Sequence, residues 1–123
     1  MNTLDQARQL QDRTKTFAVR IIKAFAGLPK QEAARVIGRQ FLRSGTSLAA
    51  NYRAACRARS AADFISKISV VAEEADETLF WLELLVQAEL INQFRRAADE
   101  RVRRIAKDLF RIARNRQAES END

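Results

Sequence analysis

The spacing of apolar residues along the chain predicts four helices. Apolar side chains recur every three or four residues in four stretches, which is the period of an amphipathic α-helix. We predict helices over about 3–26, 30–58, 61–89 and 93–117 on this basis. Since the breaks between them are short, consecutive helices should be antiparallel neighbours. The pattern therefore predicts an all-α protein, an antiparallel up-and-down four-helix bundle over 1–118, followed by an acidic disordered tail at 119–123.

Local signals place the predicted breaks. Gly27-Leu28-Pro29 ends the first helix, and Ser60 precedes Asp63 by three residues, a capping box with Asp in place of the usual Glu. Asn92 is the expected cap of the fourth helix. The second helix should turn these residues inward: Ala33, Ile37, Phe41, Ser44, Leu48, Asn51 and Ala55. The third should bury Phe64, Ile68, Val71, Ala75, Leu79, Leu82 and Val86. These apolar positions fall outside the buried stripes and suggest a second buried face: Val19, Ile22, Val36, Phe80 and Leu84.

Composition narrows the class of protein. A chain of 123 residues with three Gly and one Pro suits one helical domain. The absence of His excludes a ferritin-like di-iron site, His-based zinc sites and Ser-His catalysis. No long uncharged apolar run or signal-peptide pattern is present, so we expect a cytoplasmic protein without membrane attachment. The single Cys56 fits a small helix residue, and a reactive thiol is the alternative.

Charge is divided unevenly along the chain. The net charge is +6, yet residues 1–59 hold 12 Lys/Arg and 3 Asp/Glu, while residues 60–92 hold one Lys and 7 Asp/Glu. The first, second and fourth helices are therefore expected to be basic. The third is acidic and should pair with basic neighbours or with another subunit.

Two rows of basic residues are candidate nucleic-acid contacts. One follows the second helix and the other follows the fourth, at spacings that keep each row on one side. Such rows bind phosphate backbones by charge without reading bases. The alternatives are solvated faces or pairing with acidic residues on the next helix. The candidates are Arg35, Arg39, Arg43, Arg53 and Arg57, then Arg96, Arg103, Lys107 and Arg114.

Polar residues occupy inward positions of the second helix. Ser44, Ser47 and Asn51 share one face, and buried polar groups need hydrogen-bond partners. An antiparallel register puts Ser44 beside Glu74 and Arg43 near Asp76. We therefore predict a buried polar network formed by Ser44, Ser47, Asn51, Glu74 and Glu77. In it, Glu74 or Glu77 should accept bonds from Ser44, Ser47 or Arg43. A ligand pocket and a catalytic carboxylate pair are the alternatives.

Two further residues belong to the same region. Gly45 should let another helix approach closely, because it has no side chain. Trp81 is expected to anchor packing, with base stacking or a subunit interface as the alternatives.

Several short motifs in this region resemble one family. They are Arg43-Ser44-Gly45-Thr46-Ser47, Ala50-Asn51-Tyr52, Arg59-Ser60 with Asp63-Phe64, and Glu74-Ala75-Asp76-Glu77 leading to Trp81. Together they resemble the small bacterial four-helix-bundle family that includes S23-like proteins encoded by intervening sequences of 23S ribosomal RNA genes, and accessory proteins of diversity-generating retroelements. The resemblance runs from roughly Phe17 to Ile91; some members have Glu-Gly where this chain has Ala54-Ala55. It implies a ring-like homo-oligomer, since pentamers are known among the related accessory proteins.

These observations favour a non-enzymatic, cytoplasmic bacterial protein without a metal or cofactor. We expect a homo-oligomer, a homopentamer by the resemblance, that binds RNA or DNA through basic helix faces. The alternative is a scaffolding module whose acidic third helix and apolar faces bind a protein partner. An enzyme would need a metal or small ligand at Ser44, Asn51, Glu74 and Glu77.

Overall fold

The computed structural model describes residues 3–91, together with Glu100, Arg104, Lys107 and Arg111. Three helices cover most of this part: α1 (Thr3–Ala26), α2 (Glu32–Ala55) and α3 (Ala61–Gln87). The first three predicted helices are confirmed, with α2 beginning two residues later and ending three residues earlier than expected. No strand occurs among the described residues. The acidic tail lies outside the described residues, and so does the fourth predicted helix except for the four single positions named above.

The start of α3 follows from its capping residues. The Ser60 side chain accepts a hydrogen bond from the Asp63 amide at 3.0 Å, as the capping-box pattern predicts. The reciprocal bond differs, because the Asp63 carboxylate accepts from the amide of Arg59 at 3.2 Å. Hydrogen bonding from Lys67, one turn later, is the main cause that lowers the pKa of Asp63. The turn between α2 and α3 is thus fixed by local polar contacts.

A Schellman motif ends α3. The amide of Leu90 donates to the Leu85 carbonyl at 2.8 Å, and the amide of Glu89 donates to the Val86 carbonyl at 3.0 Å. Glu89 occupies the left-handed position of the motif, with φ 59°. Glycine is the usual residue there, because a side chain raises the energy of this conformation. The motif directs Ile91 back into the core, where it is 9% exposed.

The core lies along α2, which packs against both α1 and α3. Because it has two neighbours, α2 buries a wider face than a single apolar stripe provides. The expected inward face is therefore partly wrong: Ala33 is exposed and Asn51 only half-buried, whereas Ala34 and Tyr52 are buried. On α3, Phe64, Leu79 and Val86 are half-buried. The core cluster is Leu10, Phe17, Ile21, Phe41, Leu48, Tyr52, Ala55, Ile68, Val71, Ala75, Leu82, Leu85 and Ile91.

Gly45 lies directly against Ile21 of α1. It is buried, and a Cβ atom placed on it would lie 2.8 Å from Cγ1 and 2.9 Å from Cγ2 of Ile21. Real Cβ atoms do not approach other carbons so closely. The predicted role of Gly45 in close helix packing is therefore confirmed, and the helix that it admits is α1.

Large apolar side chains also remain exposed within the described part of the chain. Four of the five residues assigned to a second apolar face are exposed, while Leu84 is half-buried. Val70 adds a further exposed position on α3. The exposed set is Val19, Ile22, Val36, Val70 and Phe80.

Candidate functional site

The outer face of α2 carries the predicted basic row. Arg35 and Arg39 are exposed one turn apart, and neither forms an ion pair within the described part of the chain. Arg53 and Arg57, near the end of α2, are also exposed and unpaired within the same residues. These four guanidinium groups are always charged near neutral pH. They are available to an anionic partner.

Arg43, the third member of the row, is held by α3. Its Nη1 lies 3.4 Å from Oε2 of Glu74, and its Nη2 bonds to Oε1 of Glu77. Its Nε also donates to Oε1 of Gln40 at 3.2 Å. The bond to Glu77 is the main cause that raises the pKa of Arg43. The predicted register between the two helices is therefore close, and the hypothesis that Glu74 or Glu77 accepts bonds is confirmed for Arg43. Arg43 is consequently not a free member of the basic row.

Glu77 also accepts a bond from Trp81. The indole Nε1 donates to Oε1 of Glu77 at 3.1 Å. This bond is the main cause that lowers the pKa of Glu77, and the bond from Arg43 adds to it. Trp81 packs against the core cluster, as predicted for an anchor, and its ring meets Phe80 edge to face with centroids 5.0 Å apart. Arg43, Glu74, Glu77 and Trp81 thus form one interhelix cluster at the surface, which we name the Arg43 cluster.

The predicted single buried polar network needs correction. Ser44 is fully buried, but its hydroxyl donates to the Phe41 carbonyl of the same helix at 3.3 Å. The Asn51 amide donates to the backbone and side chain of Ser47, also within α2. A serine or threonine in a helix can bond to the carbonyl one turn earlier and needs no partner from another helix.

The carboxylates of that network are not deeply buried. The side chains of Glu74 and Glu77 are 16% and 36% exposed. Of the five predicted members, these two join in the Arg43 cluster. The serines and Asn51 form no bond to them among the contacts of the described residues. The arrangement joins two helices and provides no buried carboxylate pair.

A cleft lies at one end of the described helices, beside the α2–α3 turn. The Tyr52 hydroxyl donates to the Ala7 carbonyl at 3.2 Å and joins the end of α2 to the beginning of α1 there. Desolvation raises the pKa of Tyr52. Cys56 lines the cleft, and partial desolvation of its sulfur raises the pKa of the thiol. A raised pKa keeps the thiol protonated, which argues against a reactive thiolate.

The second predicted basic row falls largely outside the described residues. Arg96, Arg103 and Arg114 are not described, so their placement is untested. Lys107 is exposed and has helical backbone, as do Glu100, Arg104 and Arg111. Among the residues with described positions, no group of three Cys, Asp or Glu is arranged to hold a metal ion. Over the same residues, no helix is long and apolar enough to cross a membrane.

The features that sequence reasoning missed lie at the helix ends. Arg8 lines the cleft with Arg57 and Arg59, although it belongs to α1. Nothing in the local pattern around Arg8 distinguishes it from other exposed residues of that helix. Arg8 lines the cleft because the fold places the beginning of α1 next to the α2–α3 turn, which sequence alone does not show.

Comparison with known proteins identifies relatives of the chain. The family model for the 23S rRNA-intervening sequence protein matches residues 8–111. A comparison with curated proteins gave no match. A crystal structure of a protein of unknown function from the S23 ribosomal protein family of Bacteroides thetaiotaomicron is 38% identical, with a TM-score of 0.82, and the match covers 88% of this chain and 97% of that one. Since the family model spans most of the sequence, the chain belongs to the 23S rRNA-intervening sequence protein family.

Proposed function

We propose that this protein is a non-enzymatic nucleic-acid-binding protein that contacts the phosphate backbone of RNA or DNA by charge. The observation that carries the proposal is the pair Arg35 and Arg39, exposed one turn apart without a carboxylate partner in the described part of the chain. Guanidinium groups pair well with phosphate oxygens, and neutralising phosphates releases bound counterions. No groove-reading motif is recognisable in the sequence, so binding would depend little on base identity.

The proposal includes a fourth helix over 93–117 that completes a four-helix bundle. Its support is the helical backbone at Glu100, Arg104, Lys107 and Arg111, which are spaced by four, three and four residues and are all exposed. That spacing keeps the four side chains on one helix face, which carries three basic residues. The predicted contacts Arg96, Arg103 and Arg114 belong to the same segment.

The proposal also includes a homo-oligomer in the bacterial cytoplasm, a homopentamer by the resemblance to retroelement accessory proteins. Its support is the exposed apolar surface of the described helices, which a neighbouring subunit would bury. A ring would repeat each basic row, so several weak phosphate contacts would act together. The relevant positions are Val19, Ile22, Val36, Val70 and Phe80.

The salt dependence of RNA affinity tests the proposal. Fluorescence anisotropy with a labelled single-stranded RNA should show that affinity falls linearly on logarithmic axes as salt rises. The double variant Arg35→Gln/Arg39→Gln should flatten the slope by about 1.4, since each phosphate contact contributes about 0.7 for single strands. Arg20→Gln/Lys23→Gln removes the same charge from exposed positions of α1 and serves as the matched control. Equal effects of the two double variants would contradict a defined contact row.

A protein-binding scaffold is the second candidate. It is favoured by Phe80, which is 50% exposed on the acidic helix α3. Exposed Asp76 lies one turn before it and exposed Glu73 two turns before it, so this face combines apolar and acidic groups. Light-scattering mass of the pure protein with and without RNA, at low and high salt, separates the two candidates. An RNA complex that dissociates in salt supports the first, and an oligomer that ignores RNA at low salt supports the second.

A further inference from the structure

The cleft beside the α2–α3 turn has a volume typical of small-molecule sites and is lined by three arginines. Its volume is about 650 Å³, within the range of about 300–1,000 Å³ common for small-molecule sites. Arg8 comes from α1, and Arg57 and Arg59 come from the turn. The cleft therefore gathers three guanidinium groups from two separate parts of the chain.

Within the described lining of the cleft, no acid balances these three charges. None forms an ion pair within the part of the chain that the structure describes, and the described residues that line the cleft include no carboxylate. Asp63 follows closely in sequence but is outside the lining, and it is bonded to Lys67 and to the Arg59 amide. The bond from Lys67 is the main cause that lowers the pKa of Asp63, and the charge of Arg59 is the smallest of the causes, so Asp63 offsets Arg59 only weakly. Guanidinium groups stay ionised, so their mutual repulsion favours an anionic occupant.

The remaining walls suit a flat apolar group next to that anion. Phe64 lines the cleft and is half-buried against the core cluster, and the other lining residues include small ones such as Ala61. An aromatic ring offers a stacking surface for a nucleobase. A phosphomonoester carries a charge of about −1.5 to −2 near pH 7, which three arginines can match.

We propose that this cleft binds a nucleotide phosphomonoester, with the phosphate between Arg8, Arg57 and Arg59 and the base against Phe64. The shared chemistry has two sources, a free mononucleotide and the phosphorylated end of an RNA strand. The second source rests on the proposed RNA-binding function, and the first does not. With an RNA end as the source, the cleft would recognise strand ends, whereas Arg35 and Arg39 on α2 contact internal phosphates.

Titration calorimetry with AMP and with adenosine tests the cleft without RNA. AMP should bind at least about tenfold more tightly than adenosine, since hydrogen bonds to a charged group contribute strongly. Arg57→Gln/Arg59→Gln should remove that preference. The matched control, Arg20→Gln/Lys23→Gln, removes the same charge from exposed positions of α1 and should keep it. Equal binding of AMP and adenosine, or a preference that survives in the cleft variant, would overturn the proposal.

A second measurement identifies the source of the phosphate. The affinity for one RNA sequence is measured with a 5′-phosphate end and again with a 5′-hydroxyl end, in wild type and in both double variants. A preference of about tenfold for the phosphate that disappears only in Arg57→Gln/Arg59→Gln assigns the cleft to strand ends. Selective AMP binding without an end preference assigns it to free nucleotides. If no RNA binds at all, the proposed function fails, while the AMP measurement still tests whether the cleft binds a nucleotide phosphomonoester.

Discussion

Replacing Gly45 with alanine tests how α1 and α2 fit together. The new methyl group would lie 2.8 and 2.9 Å from the two γ carbons of Ile21, which is 2% exposed. These carbons are attached directly to the Cβ of a branched side chain, so neither can move away without moving the helix or the core. Overpacking of this kind costs about 1–3 kcal/mol. Alanine also gains about 1 kcal/mol over glycine in a helix.

We expect Gly45→Ala to lower the free energy of unfolding by about 1–2 kcal/mol, because the rigid contact places the cost near the top of its range. Urea denaturation followed by helical circular dichroism measures it. Gly38→Ala is the matched control in the same helix. Its methyl group would meet the Cδ1 end of Leu28 at 2.5 Å and the ring of Phe25 at 3.3 Å, but these are the far ends of two half-buried side chains, which can rotate. The control should therefore stay within about 1 kcal/mol of wild type.

A double-mutant cycle identifies Ile21 as the cause. Ile21→Ala alone should cost about 2–5 kcal/mol. In the Gly45→Ala background it should cost at least about 1 kcal/mol less, because both colliding carbons are removed. Ile21→Val keeps both carbons and should give no such relief. Additive effects of Gly45→Ala and Ile21→Ala, or a Gly45→Ala protein as stable as wild type, would refute the close approach.

Four smaller changes test other contacts, each by urea denaturation. Arg43→Gln should cost up to about 1 kcal/mol at pH 7, as exposed ion pairs do. Folding lowers the pKa of Glu77, so the stability that its ion pair contributes is present above the ordinary pKa of 4.5 and is lost as pH falls through the folded value. Arg43→Gln should therefore lose less stability than wild type on acidification. Ser44→Ala should cost under about 1 kcal/mol, because only a bond within α2 is removed; a larger loss would indicate a partner on another helix. Ser60→Ala should cost about 1 kcal/mol through loss of the cap of α3. Glu89→Gly should stabilise by up to about 1 kcal/mol, by relief of the left-handed conformation, and a destabilised variant would contradict that reasoning.

The helices were predictable from sequence because their signals are local. Apolar periodicity, the Gly27-Leu28-Pro29 break and the Ser60 cap all act within a few residues, and the bounds of α1 and α3 followed from them closely. The end of α3 was less predictable. Its Schellman motif places Glu89 where glycine is usual, so the expected signal was absent.

The partners of polar side chains were harder to predict, because they depend on the geometry between helices. The prediction that Ser44 is buried is confirmed, yet its hydroxyl donates to the Phe41 carbonyl of the same helix. Periodicity gives the direction of a side chain but not the bond that it makes. The register between α2 and α3 did point to a link between Arg43 and the acidic residues, since charge complementarity and an antiparallel turn constrain it together.

The position of Arg43 affects how binding experiments on this protein are interpreted. Sequence spacing puts Arg35, Arg39 and Arg43 in one row, but the structure gives the third residue to Glu74 and Glu77. A carboxylate that already neutralises a guanidinium reduces the charge it offers to phosphate. Substitution of Arg43 should therefore change stability more than RNA affinity, whereas substitution of Arg35 and Arg39 should do the reverse. Loss of RNA binding from Arg43→Gln at unchanged stability would mean that the ion pair opens for the nucleic acid.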